Sequence, residues 1–134
     1  MKHLIVISLC LTLLGLSISS CHDPKKDGPD YPAVFTVELP ENLNFRWDGD
    51  AVKINVKSNV SWRVQYESDN EWFAISPDYW DSFSSEVIEI GNVYLVTELN
   101  DFTTPRSGHC KIIPAWGRPV LVSLTQDGKP EGVE

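Results

Sequence analysis

The chain has 134 residues, enough for one domain with a modest core and too few for two. Its net charge of -8 and its isoelectric point near 4.7 argue against nucleic acid as a partner. Nine prolines, eight glycines and short runs rich in Val, Ile, Thr and aromatic residues favour strands and turns over helices, so the composition predicts an all-β fold.

The first segment, residues 1–20, has the pattern of a signal peptide. Lys2 supplies a positive charge, an apolar run extends from Leu4 to Leu16, and small residues precede Cys21. The segment Ile18-Ser19-Ser20-Cys21 resembles a bacterial lipobox, in which the cysteine thiol is acylated and the chain is cut immediately before it. The alternative is an ordinary secretory signal with an incidental cysteine. We expect Cys21 to be the lipidation site that anchors the mature chain to a membrane.

The next segment, residues 21–32, is predicted to be the lipidated cysteine and a flexible tether. It is polar, contains three prolines and a glycine, and has no apolar period, so it cannot bury enough surface to fold. Its acidic residues resemble the export signal of Bacteroidetes surface lipoproteins. The resemblance implies a cell-envelope protein anchored to the outer membrane, either exposed at the surface or facing the periplasm.

Short alternating segments follow in the part of the chain from 33 to 128 and predict strands. The segment 72–75 is predicted to be buried on more than one side. Gly91-Asn92 separates two apolar runs, and it predicts either a two-residue hairpin or a bulge within one long strand. The predicted strands lie at 34–39, 43–45, 52–56, 62–66, 72–75, 86–90, 93–99, 108–113 and 120–126.

Trp62 heads the clearest alternation, in which Trp62, Val64 and Tyr66 share one side of a strand and Arg63 and Gln65 share the other. A tryptophan there is predicted to be buried between two sheets, with its indole N–H on an acceptor. Seven to nine short strands at regular spacing, with no helical period of useful length, predict a β-sandwich. Residues 129–134 are predicted to be a C-terminal tail.

Several short motifs follow one another in a set order along the predicted domain. They are Asn59-Val60-Ser61-Trp62, Trp72 with Ile75-Ser76, Asn100, Arg106-Ser107-Gly108 and Gln126-Asp127-Gly128. Taken together, they resemble the BACON domain, a family named for Bacteroidetes and carbohydrate binding. The resemblance implies an immunoglobulin-like sandwich and a module found in polysaccharide-processing proteins. The loop after Ser76 and the segment 86–100 depart from the family pattern.

Catalytic and metal-binding groups are sparse in the expected mature chain. His109 and Cys110 are adjacent in a predicted strand, so they point to opposite faces and cannot form a nucleophile and its base. Cys110 is expected to be a small buried hydrophobe with no disulfide partner, since Cys10 leaves with the signal peptide and Cys21 carries lipid. No run has calcium-loop or zinc spacing. The sequence therefore predicts no enzyme activity, no metal and no cofactor.

Aromatic residues in predicted loops are the strongest functional signal. Sugar rings have apolar C–H faces that stack on aromatic rings, while carboxylates and amides bind the hydroxyls. The pattern predicts a non-catalytic, lipid-anchored module that binds a polysaccharide or a glycoprotein glycan. The alternative is a structural spacer or a module for an envelope protein partner, with no sugar site. The candidate ligand-binding residues are Tyr79, Trp80, Phe83, Asp78 and Asp81 in one loop, with Trp47 and Trp116 in other turns.

Overall fold

The computed structural model describes residues 29–67 and 71–133, so the predicted signal peptide, the predicted lipidation site Cys21 and most of the predicted tether lie outside the described residues. The strands lie in one compact unit, Pro32–Glu134. In the described part of the chain there is no helix of the length and hydropathy that a membrane span needs. The described residues form nine strands, which are β1 Phe35–Glu38, β2 Asn44–Phe45, β3 Asp50–Ser58, β4 Trp62–Tyr66, β5 Phe73–Ser76, β6 Tyr79–Trp80, β7 Ile88–Thr97, β8 Arg106–Pro114 and β9 Val120–Gln126.

The strands form two sheets, which confirms the prediction of an all-β sandwich. A four-stranded sheet has the order β1-β3-β7-β5, and a five-stranded sheet has the order β2-β9-β8-β4-β6. All neighbours are antiparallel except β2 and β9, which are parallel. Both sheets contribute side chains to one core, which comprises Phe45, Ile54, Val56, Trp62, Phe73, Ile75, Val93, Leu95, Cys110, Ile112, Val122 and Leu124.

Strand β4 follows the predicted alternation. Trp62 is 3% exposed, Val64 and Tyr66 are half-buried against the core, and Arg63 and Gln65 are exposed. The indole N–H of Trp62 has no acceptor among the described residues, so the expectation that it would be hydrogen-bonded is not met. The position of this ring therefore depends on packing between the sheets and not on a directional bond.

Gly91-Asn92 forms a bulge in the four-stranded sheet, which decides between the hairpin and the bulge that the sequence allows. Strand β7 is continuous through both residues, and the register against β3 pairs Ile54 with Val93 but Val56 with Ile90. Two residues of β7 thus lie opposite one residue of β3, which is the definition of a β-bulge. The hairpin alternative is wrong, and the bulge lets Ile90 before it and Val93 after it both face the core.

The prediction that segment 72–75 is buried on more than one side is wrong. Phe73 and Ile75 are buried, but Ala74 between them is exposed because it lies on the outer face of the sheet, which is open to solvent. Trp72 precedes the strand and is half-buried. Its ring lies 4.8 Å from that of Phe73 in an edge-to-face arrangement, and the Arg106 guanidinium lies 4.6 Å from its centroid.

The hydroxyl of Tyr66 protects the open edge of β5. It accepts a hydrogen bond from the Ile75 N–H at 3.0 Å and donates one to the Ile75 carbonyl at 3.3 Å. Burial raises the pKa of Tyr66 above its ordinary value, so the hydroxyl keeps its proton at neutral pH. A side chain of one sheet thereby satisfies edge groups of the other, which an added strand would otherwise pair with.

Adjacent residues of β8 point to opposite faces, as the alternation predicts. Cys110 is 1% exposed within the core, whereas His109 is exposed and contacts Glu67. Burial raises the pKa of the Cys110 thiol from 9.0 to about 11. The thiol is therefore protonated at neutral pH, and His109 lies on the other side of the sheet, so the two groups do not form a nucleophile and its base.

Gln126 joins three segments at the end of the sandwich where β9 ends. Its side-chain amide donates to the carbonyl oxygens of Glu98 at 2.6 Å and Arg46 at 3.0 Å, with a longer contact of 3.4 Å to that of Trp47. Its oxygen accepts a hydrogen bond from Nε of Arg106 at 2.8 Å. Arg106 and Gln126 together therefore tie the three segments to one another.

Candidate functional site

Tyr79 and Trp80 form a two-residue strand, β6, where the sequence predicts a loop. The strand pairs with the free edge of β4, with Tyr79 opposite Arg63 and Trp80 opposite Trp62. Alternation along β6 gives the two rings different environments. Trp80 is half-buried and packs against the core, whereas Tyr79 points outward and is 62% exposed. Tyr79 is therefore the better-placed ring for a ligand, and most of the Trp80 ring contributes to the fold.

A groove lies beside Tyr79 on the outer face of the five-stranded sheet. Its volume is about 510 Å³. Tyr79 and Arg63 stand side by side on neighbouring strands, and Arg63 is also paired with Ile113 of β8. The lining residues are Ser61, Trp62, Arg63, Tyr79, Asp81, Ile113, Pro114 and Ala115. We call this set the β6 groove.

The β6 groove combines an aromatic ring with groups that donate and accept hydrogen bonds. Arg63 and Asp81 are both exposed, and neither forms an ion pair among the described residues. A guanidinium donates up to five hydrogen bonds and a carboxylate accepts several, so both are free to bind hydroxyl groups. The groove surface therefore has an apolar part, the phenol ring of Tyr79, and two polar parts, the side chains of Arg63 and Asp81.

Hydrogen bonds fix the segment that carries Asp81. The backbone N–H of Ser82 donates to the Ser61 hydroxyl at 2.8 Å, and the Ser82 hydroxyl donates to the Asn59 carbonyl at 2.8 Å. The Asn59 amide in turn donates to the carbonyl oxygens of Ser85 at 3.1 Å and Pro32 at 3.0 Å. Asn59 is 3% exposed, so the centre of this network is shielded from water. The loop is therefore held in place before any ligand arrives.

Phe83 and Asp78 belong to the same stretch of chain but do not line the β6 groove. Phe83 is 92% exposed, and two nearby residues in the sequence, Val87 and Ile88, are also exposed. Asp78 is exposed, and its backbone carbonyl accepts a hydrogen bond from the Val64 N–H at 2.8 Å. The structure thus separates the predicted five-residue cluster into groove residues, a core-packed ring and an exposed phenylalanine.

The other two candidate tryptophans lie at opposite ends of the sandwich. Trp116 is 43% exposed and follows Ala115, a groove residue whose N–H donates to the Ser61 carbonyl at 2.8 Å. Trp47 is half-buried at the other end, where its carbonyl accepts a hydrogen bond from the Asn100 N–H at 2.7 Å. Trp116 is therefore a neighbour of the β6 groove, and Trp47 belongs to no site that contains Tyr79.

Sequence reasoning placed Arg63 on the outer face of β4 but did not connect it with Tyr79. The connection depends on β6 pairing with β4, and a two-residue strand carries too little pattern to be predicted. Ile113 and Ala115 come from a third segment, which joins the groove only because β8 pairs with β4. The one sign of its role in the sequence was that Arg63, a long cationic side chain, points outward from a strand whose other face is apolar.

The β6 groove contains a single acidic side chain. Glycoside hydrolysis ordinarily needs two carboxyl groups on either side of the bond that is cut. Among the described residues that line the groove, Asp81 is the single carboxylate. Within residues 29–67 and 71–133, no group of three or more His, Cys, Asp and Glu side chains is arranged to hold a metal ion.

Among known proteins, the chain is similar to solved structures but not to any family model or curated sequence. No protein-family model matches the chain, and no curated protein matches its sequence. Among solved structures, the chain is similar to a Bacteroides ovatus GH5 xyloglucanase in complex with a XXXG heptasaccharide, with a TM-score of 0.54 and 15% sequence identity. The match covers 70% of this chain and 19% of that chain, so it spans about a fifth of the xyloglucanase. At this identity the likeness is one of fold.

Proposed function

We propose that this protein is a non-catalytic carbohydrate-binding module of the cell envelope and that the glycan binds in the β6 groove. The observation that carries the proposal is Tyr79, which is 62% exposed and held on a hydrogen-bonded strand next to Arg63 and Asp81. The tyrosine ring stacks on the C–H face of a sugar, while the guanidinium and the carboxylate bind its hydroxyl groups.

Rigid placement favours this function. An exposed tyrosine on a mobile loop would lose conformational entropy when a ligand ordered it, and that cost would be subtracted from the affinity. Here the Ser61, Ser82 and Asn59 hydrogen bonds fix the segment that follows β6. Sugars bind proteins weakly through few contacts, so a site that is ordered in advance has a clear advantage.

The likeness in fold to part of a Bacteroides ovatus xyloglucanase supports the choice of glycans as the first ligands to test. The sequence motifs that begin at Asn59 and end at Gly128 support the further proposal that the domain is an immunoglobulin-like BACON domain. That family is associated with carbohydrate binding. The xyloglucan heptasaccharide XXXG is therefore the first probe, followed by other plant and host polysaccharides.

The binding test compares Tyr79→Ala with Tyr94→Ala by isothermal titration calorimetry. Tyr94 is a matched control because it is an exposed tyrosine, 40% accessible, on the outer face of the other sheet. We expect Tyr79→Ala to weaken glycan binding by about fivefold or more, since an aromatic contact contributes on the order of 1 kcal/mol and the groove loses its apolar surface. Tyr94→Ala should bind as the unmodified protein does.

Two results would count against the proposal. One is equal affinity for the Tyr79→Ala and Tyr94→Ala variants, which would place the sugar elsewhere. The other is no measurable binding across a broad panel of polysaccharides. The thermal unfolding midpoints of both variants are measured first, so that a loss of fold is not mistaken for a loss of binding.

We also propose that the protein is anchored to the outer membrane through a lipid on Cys21. The lipobox-like Ile18-Ser19-Ser20-Cys21 supports this, although it lies outside the described residues. The Cys21→Ala variant is expected to lose incorporation of radiolabelled palmitate in a bacterial host and to leave the membrane fraction. Retention of the label by Cys21→Ala would contradict the anchor.

A second candidate function is docking to an envelope protein, and exposed apolar residues favour it. Phe83 is 92% exposed, Val87 is 44% exposed and Ile88 is 43% exposed. Exposed aromatic rings on an ordered segment are typical of interface anchors. This function would replace carbohydrate binding if the polysaccharide panel gave no response.

A further inference from the structure

The outer face of the five-stranded sheet continues well beyond the β6 groove. Its outward side chains run in cross-strand pairs along β4 and β8, first Arg63 with Ile113 and then Gln65 with Lys111. His109 and Glu67 follow and contact each other. From Ile113 to Ser107 the strand advances six residues, which corresponds to about 20 Å at the rise of a β-strand.

Two further open cavities lie on this same face. One, of about 230 Å³, lies beside Gln65 and Lys111, the pair that directly follows the groove residues Arg63 and Ile113. The other, of about 570 Å³, extends past His109 to Ser123 and Thr125 on β9. Glu67 and His109 line both of them. The three cavities therefore follow one another along the sheet, and we call them together the outer track.

Three polar side chains of the outer track are free to bind a ligand. The side chains of Gln65, Lys111 and Ser123 have no hydrogen-bond partner within the described part of the chain, and all three are exposed. Amide, ammonium and hydroxyl groups together supply both donors and acceptors. Such a mixture suits the hydroxyl groups of a sugar chain better than it suits an apolar peptide.

Charge indicates which kind of sugar chain fits. Arg63 and Lys111 contribute two positive charges along the outer track, and Glu67 and Asp81 contribute two negative charges, so these charges cancel. The whole chain carries a net charge of -8. A polyanionic polysaccharide would be repelled by the molecule and would gain no compensating attraction on the track, whereas a neutral polymer meets neither obstacle.

We infer that the ligand is an internal stretch of a neutral polysaccharide, several sugar residues long, which lies along β4 and β8 from Tyr79 to Thr125. This inference rests on the proposed function and extends it from one groove to the whole track. It follows from the length of the series of outward side chains, from the succession of the three cavities along the sheet and from the balance of positive and negative charges. A site for a single terminal sugar would need only the β6 groove.

The test measures affinity against the length of neutral oligosaccharides, from disaccharide to hexasaccharide, by isothermal titration calorimetry. We expect affinity to rise by about tenfold or more over this series, because each added residue reaches new polar groups. The double variant Gln65→Ala, Lys111→Ala should lose about tenfold for the hexasaccharide but under about twofold for the disaccharide. Lys53→Ala is the matched control, an exposed strand lysine on the other sheet, and should change neither.

The outcomes separate this inference from the function on which it rests. If Tyr79→Ala abolishes binding but affinity is independent of length and of the double variant, the β6 groove binds sugar and the extended track is wrong. If no oligosaccharide binds at all, both are wrong. Affinity for the hexasaccharide should also stay within about twofold between low salt and about 0.5 M salt. A preference for anionic polysaccharides that falls steeply with salt would overturn the assignment of a neutral ligand.

Discussion

Replacing Trp62 with alanine is expected to lower the free energy of unfolding by about 3 to 5 kcal/mol, enough to unfold a large fraction of a marginally stable domain. The ring is 3% exposed and belongs to the core to which both sheets contribute. Its removal leaves a cavity that strands held by hydrogen bonds on both sides cannot close, since β4 pairs with both β6 and β8. Urea denaturation followed by circular dichroism measures the loss.

The Trp62→Phe variant separates packing from hydrogen bonding. Because the indole N–H of Trp62 has no acceptor among the described residues, phenylalanine gives up volume but no hydrogen bond. We expect it to cost about 1 to 2 kcal/mol, well below the cost of alanine. Equal costs for the two variants would mean that the size of the ring is not what the core requires, contrary to the packing described above.

Gln126→Leu is expected to cost about 3 to 5 kcal/mol although leucine is apolar and similar in size. Gln126 is fully buried, and its amide satisfies the carbonyl oxygens of Glu98 and Arg46 while its oxygen accepts from Arg106. Leucine would remove these hydrogen bonds, at about 1 to 3 kcal/mol for each buried group left without another partner. The Arg46 carbonyl would keep its bond from the Gly49 N–H at 3.2 Å, and Arg106 would keep the Leu99 carbonyl at 3.1 Å. The total loss of stability is reduced where water can bind the exposed side of Arg106.

The same substitution at Gln65 provides the control. Gln65 lies on the outer face of β4 and is exposed, so Gln65→Leu should change the free energy of unfolding by under about 0.5 kcal/mol. Both variants are compared in the same urea series. A cost for Gln126→Leu as small as that for Gln65→Leu would show that the hydrogen bonds of Gln126 do not hold the three segments together.

Much of the fold could be predicted from alternation in the sequence. Strands with one face in the core, such as β4 and β9, repeat apolar residues at every second position, and this pattern is visible without a structure. The segment before Ser76 misled the prediction because four apolar residues in a row are typical of a strand covered on both faces. In this protein only the inner face of the sheet packs against the core, so Ala74 is exposed between Phe73 and Ile75.

The candidate site could be predicted only in part. The sequence indicated Tyr79 and Asp81 because aromatic and acidic residues are clustered there, and the structure places both in one groove. It could not separate Tyr79 from Trp80, since their opposite orientations follow from a two-residue strand that forms only against β4. Trp47 was grouped with them by residue type alone, and chain topology places it at the far end of the sandwich.

The most direct test of the β6 groove is a two-dimensional 1H–15N NMR titration of the folded domain with neutral oligosaccharides. We predict that the backbone signals of Ser61, Arg63, Tyr79 and Asp81 shift with ligand concentration, while those of Lys53 and Tyr94 on the other sheet stay unchanged. Shifts confined to the surroundings of Trp47, or no shifts with any oligosaccharide at millimolar concentration, would contradict a carbohydrate site in this groove.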